Sequence, residues 1–254
     1  MFVSVLIPCF NEIDALPALF EELRDLPALL KPHFPEVVFV DDGSVDGTPD
    51  RLFDFAAAAW FPCKVLGLTP NGGIGQAVRE GAAHVAGEAV ITYDADRAYP
   101  LADALKLLAG LEAGADVAGA TPFGAGATYG ETAPWRRLLS TGATLAHRAR
   151  LLGRGRGVSC FTCGFRAWRR EAFLECLPSR DGFDATAEML LSALRRRKRV
   201  VEIPSTLRRR EAGVSKMRVW RALRGHLGLL LRGPRTRRPA GMGAPPRRPG
   251  GAAQ

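Results

Sequence analysis

The stretch AVITYDADRAYP, residues 89–100, runs from Val90, Ile91, Thr92 and Tyr93 straight into two carboxylates one residue apart, Asp94 and Asp96. An apolar run of this length that stops at charge reads as a buried strand delivering its last residues to an edge of the core. Similar runs stand at Val3 to Ile7, Val37 to Val40, Val65 to Leu68 and Val117 to Ala120, separated by helix-like segments of ten to eighteen residues. The segment after Gly72 and Gly73 shows the alternation: Ile74, Ala77, Val78, Ala82 and Val85 recur at helical spacing, and the glycine pair gives a flexible entry to the helix. Strands alternating with helices predict an α/β fold, a mostly parallel central sheet flanked by helices in a single domain. Ligands of such open sheets bind outside the carboxyl ends of the strands, so the chemistry is expected just after each apolar run.

Those positions hold Pro8-Cys9-Phe10-Asn11-Glu12, then Asp41-Asp42-Gly43-Ser44-Val45-Asp46-Gly47-Thr48, then Pro70-Asn71-Gly72-Gly73, and then Asp94-Ala95-Asp96. Acids, amides and glycines thus converge on one edge. Asp46 or Ser44 is expected to cap the helix beginning near Pro49, but caps alone do not account for four polar strand ends. Asp94 and Asp96 repel each other unless a cation shares them. Hard cations such as Mg2+ or Mn2+ take oxygen ligands and let substrate phosphates complete the shell. A diphosphate with its metal is therefore the expected occupant, and the metal would act as a Lewis acid on a leaving diphosphate.

Composition sets the remaining bounds. The 254 residues, 47% of them hydrophobic, suffice for one domain with a large core. The sequence lacks both a run of about 20 apolar residues and a recognisable signal peptide, so a cytoplasmic location is expected. Five irregularly spaced cysteines imply reduced, mostly buried thiols rather than a disulfide framework. The net charge of +9 is concentrated in the last quarter, in RRRKR at 195–199 and RRR at 208–210, which suits an anionic partner. From Gly233 to Gln254 the chain is rich in Pro, Gly and Arg and is expected to be a disordered tail, leaving 1–232 as the domain. Just before it, Met217, Trp220, Leu223, Leu227 and Leu230 share one helical face, which suits either a cover for the core or a seat in a membrane interface. A peripheral position at the inner face of the membrane, aided by the tail arginines, is expected if the acceptor is a lipid.

The segments PCFNE, VDDGSVDGT, NGGIGQAVREG, YDAD, CGFRAWRRE, VVEIP and RREAGVSKM occur in an order and spacing that resemble the family-2 glycosyltransferases of GT-A fold, especially the dolichol- or polyprenyl-phosphate mannosyltransferase-like branch. The resemblance spans about residues 2 to 230 and implies inverting hexosyl transfer from a nucleotide-diphosphate sugar to an acceptor, often a polyprenyl phosphate. It places Pro8, Phe10 and Glu12 at the nucleoside and Val40 with Asp42 at the base. Asp94, Ala95 and Asp96 fall at the metal and diphosphate, with Arg210 and Lys216 near the donor phosphates. Departures are Ala98 where some relatives carry a metal-binding Gln, Pro122 for an Arg, Cys160 for an Asp and Thr186 for a Gln. They leave GDP- and UDP-linked donors both open.

A phosphate acceptor is already ionised and needs no base. A hydroxyl acceptor needs one, for which Asp181, Asp184 and Glu188 are the candidates. The structural alternative for these acids is helix capping by Asp184 and an ion pair between Glu188 and a nearby arginine. Among other functions, a dinucleotide oxidoreductase fits poorly, because Val78 stands where its third fingerprint glycine belongs. A nucleotidylyltransferase would carry its glycine-rich loop where PCFNE stands. A non-catalytic membrane- or anion-binding protein on the same fold would explain the arginines but not the acidic strand ends, and the same objection excludes nucleic acid as a partner.

Overall fold

A computed structural model describes residues 1–124, 126–127, 134–151, 157–208 and 219–235, with the side chains of 134–140, 150 and 219–223 outside the description. All five apolar runs are strands: β1 (Phe2–Cys9), β2 (Phe34–Asp41), β3 (Cys63–Gly67), β4 (Ala89–Thr92) and β5 (Val117–Thr121). Two more, β6 (Arg166–Arg169) and β7 (Val200–Pro204), complete a seven-stranded sheet in the order β3-β2-β1-β4-β6-β5-β7. β6 is the antiparallel member, paired with β4 and β5. Its RAWR sequence has no apolar run, which is why periodicity passes over it.

Alternation along the central strands fills two layers. Val5, Ile7, Phe39 and Ile91 face a core shared with α1 (Leu16–Arg24), α3 (Thr48–Ala58) and α5 (Ala104–Glu112). Leu6, Val38, Val40 and Val90 face the other core, with α4 (Ile74–Ala82), α7 (Arg170–Glu175) and Met189 of α8 (Ala185–Arg195). The predicted apolar face of α4 is present: Ala77, Val78, Ala82 and Val85 are buried, and Ile74 packs against them. All five cysteines are free, and burial pushes the Cys176 thiol up to about 11.

The C-terminal helix, α9 (Val219–Arg232), packs beside α6 (Pro134–Arg150). Leu229 is fully buried, and a Cβ at Gly225 would stand 2.6 Å from the Asp184 carboxyl carbon, so the glycine lets the helix settle on that side chain. Leu227, predicted to lie on a buried or membrane-facing stripe, is 56% exposed, as is Leu231 at 71%. His226 donates to or accepts from His147 of α6 at 3.2 Å. Composition assigns Gly233 to Arg235 to the tail, yet Gly233 N–H donates to the Leu229 carbonyl at 2.8 Å and Arg235 N–H to Glu188 Oε1 at 2.9 Å. The domain therefore continues past 232; residues 236–254, the rest of the expected tail, lie outside the described residues.

One buried acid ties the lower edge of the sheet together. Glu36 of β2 accepts from Ser4 Oγ at 2.6 Å, Ala86 N–H at 2.7 Å and Lys64 Nζ at 2.9 Å. Burial raises its pKa, but these donors outweigh burial and leave it below the ordinary 4.5. Its stabilisation is thus complete above that value and is lost as pH falls below it. Glu36→Ala is expected to cost about 2 kcal/mol, by stranding two buried donors. Urea unfolding at pH 7 checks this, and the gap between Glu36→Gln and wild type should narrow below about pH 4.5.

Candidate active site

The exits of β1 and β2 are laced together. Asn11 occupies the left-handed region (φ 50°), where an amide side chain compensates the steric cost. Its N–H donates to Ser44 Oγ at 2.7 Å and its Oδ1 accepts from Val45 N–H at 2.8 Å. Glu12 N–H donates to Thr48 Oγ1 at 2.9 Å. Helix α3 begins one residue before the expected Pro49, at Thr48, with Gly47 (φ 82°) preceding it. Asp46 Oδ1 accepts from the Thr48 N–H and hydroxyl at 3.1 and 2.6 Å, so Asp46 secures the helix start while Ser44 serves the neighbouring loop. Pro8, Phe10 and Glu12 are partly exposed on this edge.

The two residues expected at a base are both buried. Val40 is fully buried, and a Cβ on Gly81 would stand 2.9 Å from its Cγ2, so its side chain supports the strand from the α4 side. Asp42 is 3% exposed and turned toward the start of α4. It accepts from Gly72 N–H at 2.9 Å, Gly73 N–H at 2.7 Å and Asn71 Nδ2 at 2.8 Å. Burial raises the Asp42 pKa, with Asp41 and Asp181 adding to the rise and the glycine amides opposing it. Asp41, which the sequence left without a role, is 4% exposed. Its Oδ2 accepts from Ser44 N–H at 3.2 Å, and its Oδ1 has no hydrogen-bond partner among the described residues.

The glycines of NGGIG permit close approach rather than flexibility. A Cβ on Gly75 would fall 1.8 Å from the Arg180 carbonyl oxygen, and Gly75 N–H donates to the Asp181 carbonyl at 3.1 Å. Arg79, buried on α4, completes the contact with Nη1 on the Pro178 carbonyl at 3.2 Å and Nη2 on Asp181 Oδ1 at 2.5 Å. The candidate bases therefore lie on a segment pinned to α4. Asp184 pairs with Arg180 at 2.9 Å. Glu188, 1% exposed, accepts from Ser179 N–H and hydroxyl, Arg180 N–H and Arg235 N–H, all within 2.9 Å. Four donors account for a carboxylate's acceptor sites, so the geometry gives Glu188 a structural task. Asp184 stands at the start of α8 but makes no capping hydrogen bond there.

At the end of β4, Asp94 and Asp96 are partly exposed, while Tyr93 before them and Ala95 between them are buried. The turn is closed by Arg97 N–H donating to the Asp94 carbonyl at 3.0 Å and Ala98 N–H to Asp96 Oδ1 at 3.2 Å. Arg97 itself sits at φ 54°. Across from β4, Thr92 Oγ1 donates to the Gly164 carbonyl at 2.5 Å. A Cβ on Gly164 would meet both Asp94 carboxylate oxygens at 2.7 Å. The loop holding Gly164 is fixed in turn by Glu202 of β7, which accepts from Ser159 and Cys160 N–H at 2.8 Å each. Asp94 and Asp96 offer hard oxygen donors of the kind Mg2+ and Mn2+ prefer. Among the described residues no third His, Cys, Asp or Glu joins them in a metal-holding group, so this donor set fits a cation completed by phosphate and water. Arg210 and Lys216 lie outside the described residues. Glu202, Gly164 and Arg79 were not singled out by sequence, because their roles depend on contacts more than 30 residues away in the chain; Asp41 was not, because only its buried oxygen without a partner among the described residues distinguishes it from the neighbouring Asp42 and Ser44.

The chain matches Glycosyl transferase family 2 over residues 4–177 and belongs to that family. It is 30% identical over 218 residues to a dolichol-phosphate mannosyltransferase of Pyrococcus furiosus, covering 86% of this chain and 60% of that protein. It is 31% identical over 226 residues to a polyprenol monophosphomannose synthase of Mycolicibacterium smegmatis, covering 84% and 80%. An undecaprenyl-phosphate 4-deoxy-4-formamido-L-arabinose transferase of Klebsiella pneumoniae is 30% identical over 217 residues, covering 84% and 62%. The chain thus spans less than two thirds of the first and third of these relatives. In fold it is similar to glucosyl-3-phosphoglycerate synthase from Mycobacterium tuberculosis in complex with Mn2+, UDP and glucosyl-3-phosphoglycerate (TM-score 0.63, 20% identity, 91% of this chain and 77% of that one). The expected GT-A architecture and the polyprenyl-phosphate mannosyltransferase-like resemblance are borne out.

Gly164→Ala tests the support of Asp94. The added methyl must displace the carboxylate, so Mn2+-dependent binding of UDP or GDP should weaken by about tenfold or more. The circular dichroism spectrum should be unchanged, and calorimetric titration with and without Mn2+ reads the binding.

Proposed function

We propose that this chain is an inverting hexosyltransferase, of the EC 2.4 class, that uses Mg2+ or Mn2+ to move a sugar from a GDP- or UDP-linked donor to a polyprenyl phosphate. The observation that carries the reading is the Asp94–Asp96 pair at the end of β4, part-exposed beside a backbone that leaves no room for a Cβ. Its family and its similarity to enzymes named for dolichol-, polyprenol- and undecaprenyl-phosphate products support the donor and acceptor classes.

In this reading Asp94 and Asp96 hold the cation, Ala95 keeps the turn packed, and Arg210 and Lys216 meet the donor phosphates. A bound cation supplies Lewis-acid stabilisation of the departing diphosphate. Pro8, Phe10 and Glu12 form one wall for the nucleoside. Asp41 Oδ1 supplies the acceptor for a ring N–H, a donor that uracil and guanine both present. Asp42 and Val40 act beneath this wall by fixing α4 and the strand. The acceptor phosphate attacks the anomeric carbon in line and brings its own charge, so no residue has to take a proton. That agrees with Glu188 and Asp184, named as candidate general bases, being committed to backbone amides and to Arg180.

A lipid acceptor also requires a seat at a membrane. Leu145 of α6 and Leu227 and Leu231 of α9 are exposed, with Arg224 and Arg232 exposed on the same helix α9. No helix among the described residues is long and apolar enough to cross a membrane. The contact proposed from the exposed leucines and arginines is peripheral, at the inner face.

The test is a panel of GDP- and UDP-sugars with Mn2+ and either polyprenyl phosphate or soluble acceptors. Transfer is expected to the lipid alone; activity with no nucleotide sugar, or only with soluble hydroxyl acceptors, would refute the assignment. A nucleotide sugar at 100 times its Kd should stabilise the wild type by about 2.7 kcal/mol. Asp96→Ala should lose that stabilisation and lower turnover by on the order of 100-fold. Asp46→Ala should instead lose about 1 kcal/mol of stability and keep donor binding.

A further inference from the structure

Beneath the Asp94–Asp96 turn, three separate ties converge on one carboxylate of α1. Glu22 Oε2 accepts from the Tyr93 hydroxyl at 2.9 Å, and the same hydroxyl lies 2.8 Å from the Tyr99 carbonyl. Glu22 Oε1 accepts from Arg208 Nη1 at 2.7 Å, with Arg97 Nη1 at 3.7 Å. Arg97 also reaches back to the Ala18 carbonyl at 3.1 Å, one helical turn before Glu22. Arg208 returns to the same turn through its backbone, its N–H donating to the Ala98 carbonyl at 2.8 Å. Glu22 thus holds Tyr93 immediately before the acid pair, Arg97 immediately after it, and Arg208, which is bonded to the next residue.

We infer that Glu22 is a positioning residue for the Asp94–Asp96 pair, a role that rests on the donor-binding reading above. Two forces make one carboxylate suited to it. The side chains of Glu22 and Arg97 are 20% and 14% exposed, so their attraction is less screened than that of a surface pair. Glu22 also gives two guanidinium groups an anion other than the aspartates. Without it, two cations flanking the Asp94–Asp96 turn in sequence and hydrogen bonding lose their anion, and Arg97 loses a tie that supports a left-handed conformation which a non-glycine residue adopts only at a cost. Outer-shell partners of this kind orient metal ligands without touching the metal.

The test compares wild type with Glu22→Gln, which keeps the shape and removes the charge, and with Tyr93→Phe and Arg208→Gln, which each remove one tie. Hydrogen exchange without ligand is expected to accelerate about tenfold at the amides of Arg97, Ala98 and Arg208, with β1 unchanged. UDP or GDP affinity in Mn2+ should fall about tenfold in Glu22→Gln, and affinity in EDTA should stay within about twofold. If Glu22→Gln does not fold, the two other variants carry the test, and each should show the same metal-specific loss. Exchange that is unchanged, or that rises equally in β1, overturns the inference, as does an equal loss of affinity with and without Mn2+. A wild-type chain that binds neither nucleotide fails the donor reading itself and removes the role with it. That failure is distinct, since it appears before any substitution is made.

Discussion

The contact between the Gly164 backbone and the Asp94 carboxylate is the constraint on which the site depends. β4 is the strand where the sheet changes direction, with parallel β1 on one side and antiparallel β6 on the other. The loop that leads into β6 therefore passes over the end of β4, and its Gly164 carbonyl is fastened by the Thr92 hydroxyl. A side chain at 164 would occupy the place of the Asp94 oxygens. Glu202 then holds the start of that loop from β7, so the far edge of the sheet contributes to the placement of an acid near its centre.

The same edge shows how a fold can gather acids without excessive repulsion. Asp42, Glu188 and Glu202 each accept two or more backbone N–H groups, and each acid thereby fixes a loop. Backbone N–H groups bound to carboxylates make the stronger, charge-assisted kind of hydrogen bond, so such groups serve as rigid struts. Asp94 and Asp96 differ in kind: they stand part-exposed on a turn braced from below by Glu22, Arg97 and Tyr93. Asp42 and Glu188 are buried under several donors, whereas the proposed metal-binding acids are part-exposed.

Much of the fold was legible in the sequence because its signals are local. Five strands and the face of α4 follow from apolar spacing, and the acids fall at strand ends as an open parallel sheet requires. What escaped was set by distant contacts. β6 carries Arg at both ends, and its Arg166 is buried by donating to the Thr186 and Phe161 carbonyls, which no periodicity encodes. On α9, Gly225 and Leu229, which the apolar stripe does not include, do the packing, while Leu227 of that stripe stays outside, as its membrane-interface alternative allows. The family resemblance placed Val40 and Asp42 by strand position, and burial, which strand position does not give, distinguishes neither from Asp41, whose Oδ1 is the buried oxygen without a hydrogen-bond partner among the described residues.

A cation held jointly by Asp94, Asp96 and a nucleotide diphosphate is the proposed centre of the site. Electron paramagnetic resonance of Mn2+ bound to the protein with UDP or GDP, carrying 17O in the diphosphate, tests that most directly. Hyperfine broadening of the Mn2+ lines by the labelled diphosphate, lost in Asp96→Ala, is the predicted result. A protein-bound Mn2+ whose spectrum is indifferent to the label with both nucleotides would contradict it.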